Sequence, residues 1–193
     1  MPSPQLYLAS RSPRRAQLLD QLGIDFEIIP AYVEEIRSRD ETPVQFAERL
    51  ALDKVRTGLQ AVPAERPRPV LGADTIVVAG DSVMGKPANR EQGIEMLMML
   101  SGRHHEVITA VALASEHEAV VSQSSRVTLR TLTVQECEAY WDSGEPIDKA
   151  GSYAIQGLAA MFVTRLEGSY SGVMGLPLYE TADLLRQFDI TIL

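Results

Sequence analysis

The stretch Ser10-Arg11-Ser12-Pro13-Arg14-Arg15 constrains this chain more than any other. Leu6, Leu8 and their neighbours make an apolar run of strand length. From Ala16 the spacing turns helical, with Leu18, Leu19 and Leu22 on one face. Between the two, Ser12 stands at the N-cap position and Pro13 at the first helical position, where a missing N–H costs nothing. Gly23 follows as a stop signal. A strand that runs directly into a helix N-terminus is therefore expected. Three arginines crowd that junction. Cations in a first helical turn oppose the helix dipole, so Arg14 and Arg15 conflict with their own backbone unless an anion faces them. Free N–H groups, the positive end of the dipole and guanidinium forks all suit a phosphate. A capped helix with solvated arginines would account for the same residues, and the motif alone leaves both readings open.

The rest of the chain alternates short apolar runs with helical patterns. Phe26 to Ile29 reads as a strand leading into an acidic loop at Glu34-Glu35. Thr42 and Pro43 open a second helix whose apolar stripe is Val44, Ala47, Leu50, Ala51 and Val55. A proline-rich surface connection over residues 62–69 precedes an apolar strand, Val70 to Ala79, interrupted by Gly72-Ala73-Asp74-Thr75. Gly80-Asp81 turns the chain into Val83-Met84. Asn89 with Gln92 caps a helix reaching Leu100, and residues 105–115 and 119–132 alternate as a long hairpin. Thr133 and Glu136 form a capping box for the helix bearing Tyr140 and Trp141. Residues 161–166 and 170–173 read as a second hairpin turned at Glu167-Gly168, and Gly175-Leu176-Pro177 opens the last helix. Strands and helices mix without strict β-α-β regularity, so the pattern indicates α/β or α+β with a mixed sheet.

At 193 residues the chain is long enough for one substantial domain, or one domain with two lobes. A net charge of -8 argues against a general nucleic-acid or anionic-membrane surface, so the arginines at one helix start point to a small local anion. The single cysteine, Cys137, excludes an internal disulfide and fits a reducing cytosol. His104, His105 and His117 are too few and too scattered for a metal site. No secretory leader pattern is visible, and the apolar runs fall far short of a membrane span.

Asp74 is the most demanding residue, because an ionised carboxylate inside an apolar strand needs a partner, a metal or hydrogen bonds. Glu34 and Glu35, taken alone, are a solvated pair. Lys86 in Gly85-Lys86-Pro87 lacks a phosphate-loop pattern, and Asp148-Lys149 could be an exposed ion pair. Together these groups describe a site for a triphosphate. Arginines and lysines balance its charge, while carboxylates hold a divalent cation and orient water.

Ser10-x-Ser12-Pro13-Arg14-Arg15, Gly72-Ala73-Asp74-Thr75, Gly85-Lys86-Pro87, Ser101-Gly102-Arg103-x-His105, Asp148-Lys149-Ala150-Gly151, Gln156-Gly157 and Gly172-Val173-Met174-Gly175-Leu176-Pro177 occur in this order. Together they resemble the Maf family of nucleoside triphosphate pyrophosphatases, over essentially the whole chain. The resemblance implies an α/β fold with a mixed sheet and two lobes around a central cleft, related to inosine triphosphate pyrophosphatases, as a single domain over residues 1–193. It also implies a cytoplasmic homodimer that binds a nucleoside triphosphate, with neither nucleic acid nor membrane as partner. The implied reaction gives a nucleoside monophosphate and pyrophosphate and uses a divalent metal, Mg2+ or Mn2+.

Carried over by position, Asp74 matches the family's general base. Ser12, Arg14 and Arg15 match its phosphate-binding loop, and Glu35, Lys54 and Lys86 match polar residues of the cleft. Glu35 and Asp74 would hold the metal. Arg14, Thr75 and Gln156 match positions associated with the branch acting on dTTP and UTP, whereas the branch preferring 7-methyl-GTP usually has an acid where Gln156 stands. A neutral amide offers a donor and an acceptor to the O4/N3–H edge of uracil or thymine. Ala154 departs from the branch, which often has glycine there. The alternative expectation is a non-catalytic nucleotide-sensing or protein-binding module in septum control.

Overall fold

A computed structural model describes residues 4–192. Its first strand, β1 (Leu6–Leu8), is buried along its whole length. It lies between two parallel partners, β2 (Phe26–Ile28) with Leu6 opposite Phe26, and β3 (Val70–Ala79) with Leu8 opposite Leu71. A strand paired on both edges and covered on both faces has no solvent side, which is why Leu-Tyr-Leu shows no alternation. Even Tyr7 is enclosed, its hydroxyl donating to the carbonyl of Arg66 at 3.1 Å.

The chain leaves β1 and enters α1 (Pro13–Gln21) with Ser12 at the N-cap and Pro13 at the first position, as expected. The cap differs in one respect. The Ser12 side chain makes no capping bond, and the hydroxyl of Ser10 instead accepts the Ser12 N–H at 3.2 Å. In α2 (Pro43–Leu59) Thr42 and Gln45 form a full capping box. Phe46, Ala47, Leu50, Ala51 and Val55 are buried there, but Val44 is exposed, so Phe46 fills the place expected for it. The row Phe46–Leu50, four residues apart on the helix, carries the burial at that end.

How closely α2 approaches β3 depends on Gly72. A Cβ at that position would lie 2.9 Å from Cγ2 of Val55 and 3.0 Å from the carbonyl oxygen of Ala51. Side chains two apart on a strand share a face, so Asp74 projects toward the same helix as Gly72.

The remaining elements are β4 (Ser82–Met84), α3 (Arg90–Leu100), β5 (His104–Ala114), β6 (Glu118–Leu129), α4 (Val134–Asp142), β7 (Val163–Glu167), α5 (Tyr170–Met174) and α6 (Leu178–Arg186). Strands pair in the order β2-β1-β3-β5-β6-β7, with β4 antiparallel on the far part of β3, so the sheet is mixed and the class is α/β. The long hairpin of β5 and β6 is as expected. The second hairpin is not: β7 pairs antiparallel with β6, and Tyr170–Met174 is helical. Ser169 explains the difference. Its hydroxyl accepts the N–H of Gly172 at 2.9 Å and its carbonyl accepts that of Val173 at 3.1 Å, which starts a helix where the hydrophobic pattern suggested a strand.

The contacts divide the chain into two compact units. One contains the residues up to Asp74, the hairpin segment Thr109–Gln123 and the chain from Gly175 onward; the other contains Thr75–Ile108 and Ser124–Met174. The core of the second unit joins Val77 of β3, Leu97 and Leu100 of α3, Val107 of β5, Cys137 and Tyr140 of α4, Tyr153 and Phe162. Cys137 is fully buried, and desolvation raises its thiol above the ordinary range, as befits a packing residue. Among the described residues, no helix is long and apolar enough to cross a membrane.

Gly72→Ala should lose about 1–3 kcal/mol of stability, because the overpacking strikes helix backbone and a β-branched side chain. A lower urea midpoint with an unchanged slope is expected; an equal or higher midpoint would show that α2 can move off β3 freely.

Candidate active site

The parallel strands of the first unit end where helix and loop begin, and open α/β sheets expose their ligand sites beyond such carboxyl ends. Asp74 lies midway along β3, beyond the pairing of β1 that ends with Leu8 opposite Leu71, and is almost fully buried. Its charge is met by Lys54 of α2, whose ammonium donates to Oδ1 at 2.5 Å. The same ammonium donates to Oε1 of Glu35 at 2.9 Å. The Lys54 side chain is only 11 % exposed and that of Asp74 6 %, while Glu35, on the loop after β2, stays 40 % exposed. The pair is thus largely desolvated, and its outer carboxylate faces water.

Each member is placed by packing. Ala51 and Val55 seat α2 on Gly72, which brings Lys54, between them on the helix, to Asp74 two residues along the strand. The Glu35 loop is anchored by Arg49. Its guanidinium donates to Oε1 of Glu41 at 2.6 Å and to the carbonyl of Ile36 at 2.9 Å, one residue beyond Glu35.

Arg15 completes the cluster. Its Nε donates to the carbonyl of Gly175 at 2.8 Å and its Nη1 to the Ser10 hydroxyl at 3.3 Å. Burial pulls its pKa below the ordinary arginine value; Asp74 and Glu35 push the other way, while Arg14 adds to the lowering. Arg15 therefore belongs to the same electrostatic unit as the two carboxylates. Ser12 and Arg14, both half-buried, sit at the N-cap and in the first turn of α1.

Four residues named from the sequence thus come together: Glu35, Lys54, Asp74 and Arg15. The two carboxylates expected to hold a metal are bridged by the lysine, and among the described residues no cluster of three or more His, Cys, Asp or Glu is arranged around a metal. Thr75, Lys86 and Gln156 belong to the second unit. Thr75 is half-buried on β3 directly after Asp74. Lys86 is exposed on a turn held by the N–H of Gly151 donating to the carbonyl of Gly85 at 3.1 Å. Gln156 is exposed on the turn after Ile155.

Three polar features make contacts that the sequence motifs containing them did not reveal. Ser10 organises the α1 start, and the Gly175 carbonyl fixes Arg15. His105 is buried with Nε2 2.7 Å from the Tyr153 hydroxyl, and desolvation, aided by His104, pushes its pKa down to about 4, so it is a neutral core imidazole.

A buried carboxylate tied to a lysine, together with a helix N-terminus carrying arginines, is chemistry that suits a phosphorylated anion. Residues 5–188 match the Maf-like protein family, and the chain belongs to it. A protein of Alkalilimnicola ehrlichii named dTTP/UTP pyrophosphatase is 53 % identical over 97 % of this chain and 94 % of its own length. Proteins with the same name from Aliivibrio fischeri and Vibrio cholerae are 49 % and 50 % identical, each over 95 % of this chain and 98 % of their own.

Lys54→Met would leave Asp74 as an unpaired buried charge, at an expected cost of about 3 kcal/mol. In Lys54→Met with Asp74→Asn that charge is gone, and the double variant should be more stable than the two single losses predict by at least about 1 kcal/mol. Urea unfolding of the four proteins checks this; strict additivity would show that the ion pair is not coupled.

Proposed function

We propose that the protein is a hydrolase of acid anhydrides that splits dTTP and UTP into the nucleoside monophosphate and pyrophosphate. The observation that carries the reading is the Glu35–Lys54–Asp74 cluster, a desolvated carboxylate paired with one cation and within the field of a second, Arg15. The relatives' shared name supports the nucleotides.

In this mechanism the triphosphate lies against the helix start at Ser12, Arg14 and Arg15, where backbone N–H groups and guanidinium forks meet phosphate oxygens. Asp74 accepts a proton from the attacking water as its oxygen bonds to phosphorus, and the bond to the bridging oxygen breaks with pyrophosphate leaving. Lys54, fixed to both carboxylates, orients Asp74 and adds positive charge, and Lys86 adds a second ammonium. Gln156, with Thr75, reads the base through an amide that offers one donor and one acceptor. Glu35 and Asp74, both in contact with the Lys54 ammonium, present hard carboxylate oxygens, and these two residues would hold a divalent ion. Mg2+ or Mn2+ held there would neutralise and polarise phosphate oxygens. A homodimer and a cytoplasmic location, both implied by the resemblance, belong to the same reading.

Wild type and Asp74→Asn, incubated with dTTP, UTP, CTP, GTP and 7-methyl-GTP with Mg2+ or Mn2+, test the reading by release of monophosphate and pyrophosphate. Turnover of dTTP and UTP should fall about 10²–10⁴-fold in the variant while nucleotide still binds. Wild-type protein that binds nucleotide and leaves it intact would establish a sensor instead. Gln156→Glu should lower kcat/KM for UTP and dTTP more than for GTP, because a carboxylate cannot donate to O4. An equal loss on all bases would remove Gln156 from base reading.

A further inference from the structure

A glutamine amide can turn over, presenting its oxygen where its nitrogen was. Uracil offers an acceptor and a donor on its pairing edge and cytosine the reverse, so Gln156 alone matches either. Selectivity then requires neighbouring groups of fixed polarity in fixed positions. Backbone N–H and C=O groups have fixed polarity, and they hold position only if their loop is held.

The loop around Gln156 is held from beneath by two side chains. The Tyr140 hydroxyl, on α4, accepts the N–H of Ala154 at 3.1 Å and donates to Oε1 of Glu145 at 2.6 Å. The Glu145 carboxylate accepts the N–H of Leu158 on Oε2 at 2.8 Å and that of Ala159 on Oε1 at 3.3 Å. These contacts lie on both sides of Gln156, which itself faces outward. Gly157 makes room for them, since a Cβ there would fall 2.2 Å from Oε2 of Glu145. The clamp is anchored in the core, where Tyr140 is buried and packs edge-on against Phe162. Desolvation first, and the bond to Glu145 next, raise the pKa of the Tyr140 hydroxyl, so it stays a donor at any working pH.

We infer that Glu145 is a positioning residue for base selection, its carboxylate holding the loop backbone directly at Leu158 and Ala159, after Gln156, and through the Tyr140 hydroxyl at Ala154, before it. The inference rests on the base-reading role proposed above for Gln156. A carboxylate is needed because three donors converge on it: the Tyr140 hydroxyl and the N–H groups of Leu158 and Ala159. In Glu145→Gln one of the two oxygens becomes an NH2, and at least one loop N–H loses its acceptor.

Glu145→Gln, Tyr140→Phe, Gln156→Ala and the double variant Glu145→Gln/Gln156→Ala test this, using amide hydrogen exchange and kcat/KM for UTP and CTP. Glu145→Gln should speed exchange at Leu158 and Ala159 and lower the UTP-to-CTP ratio about 10-fold, chiefly through KM for UTP. The double variant should show no lower ratio than Gln156→Ala. Unchanged exchange at Leu158 and Ala159 overturns the clamp, whatever Gln156 does. Faster exchange with an unchanged ratio, in a protein whose ratio does fall in Gln156→Ala, overturns the positioning role alone. An unchanged ratio in Gln156→Ala fails the base-reading role itself. If Glu145→Gln does not fold, Tyr140→Phe, which keeps the ring against Phe162, is read by the same criteria at Ala154.

Discussion

The ion pair of Lys54 with Asp74 is an expensive object. Both side chains are largely withdrawn from water, and desolvating two charges costs several kcal/mol per ion before their attraction returns anything. An apolar pair of the same size would hold α2 on β3 at least as well. The surroundings are nevertheless arranged to keep the charges in place. Gly72 brings the helix within reach of the strand, Arg49 anchors the loop of Glu35, and Arg15 is pinned by Ser10 and Gly175 beside the carboxylates.

The same economy is visible around Arg15. An arginine in the first turn of a helix opposes the dipole, and its burial makes matters worse. The protein compensates with neighbours: two acceptors on the guanidinium and two carboxylates whose fields offset the desolvation. Arg14, in the same turn, sits beside a group already committed to internal partners. The helix start is thus a preformed arrangement of charges, which an anion of the kind proposed would meet with little reorganisation.

Local signals were legible in the sequence wherever a few adjacent residues decide the outcome. Thr42-Pro43 and Thr133 with Glu136 announce their helices, and Val70 to Ala79 reads as the strand it is. Asp74 could be singled out because a carboxylate in an apolar run is a contradiction at the level of composition. Lys54 could be named only through the resemblance, and its pairing with Asp74 not at all, because it is twenty residues away and reaches Asp74 only through the packing of α2 on Gly72. Tyr170 to Val173 misled for a similar reason: its apolar residues suit a strand, and the helix depends on the Ser169 hydroxyl, in a residue whose backbone N–H donates to the Ser125 hydroxyl at 2.9 Å. Glu145, between Gly144 and Pro146, carried no pattern at all; only the fold brings the 154–159 backbone onto it.

The hydrogen bond from Arg15 to the Gly175 carbonyl has a consequence for how the protein is made. The first unit is assembled from stretches far apart along the chain, and this bond joins its earliest helix to its last segment across 160 positions. A ribosome delivers the early strands long before that segment emerges, so they wait with apolar faces unsealed while the second unit, inserted between them, is synthesised. Loop closure over such a span is slow, so the Arg15 side of the first unit is sealed late. The guanidinium reaches its setting against the Gly175 carbonyl only after that later segment has docked.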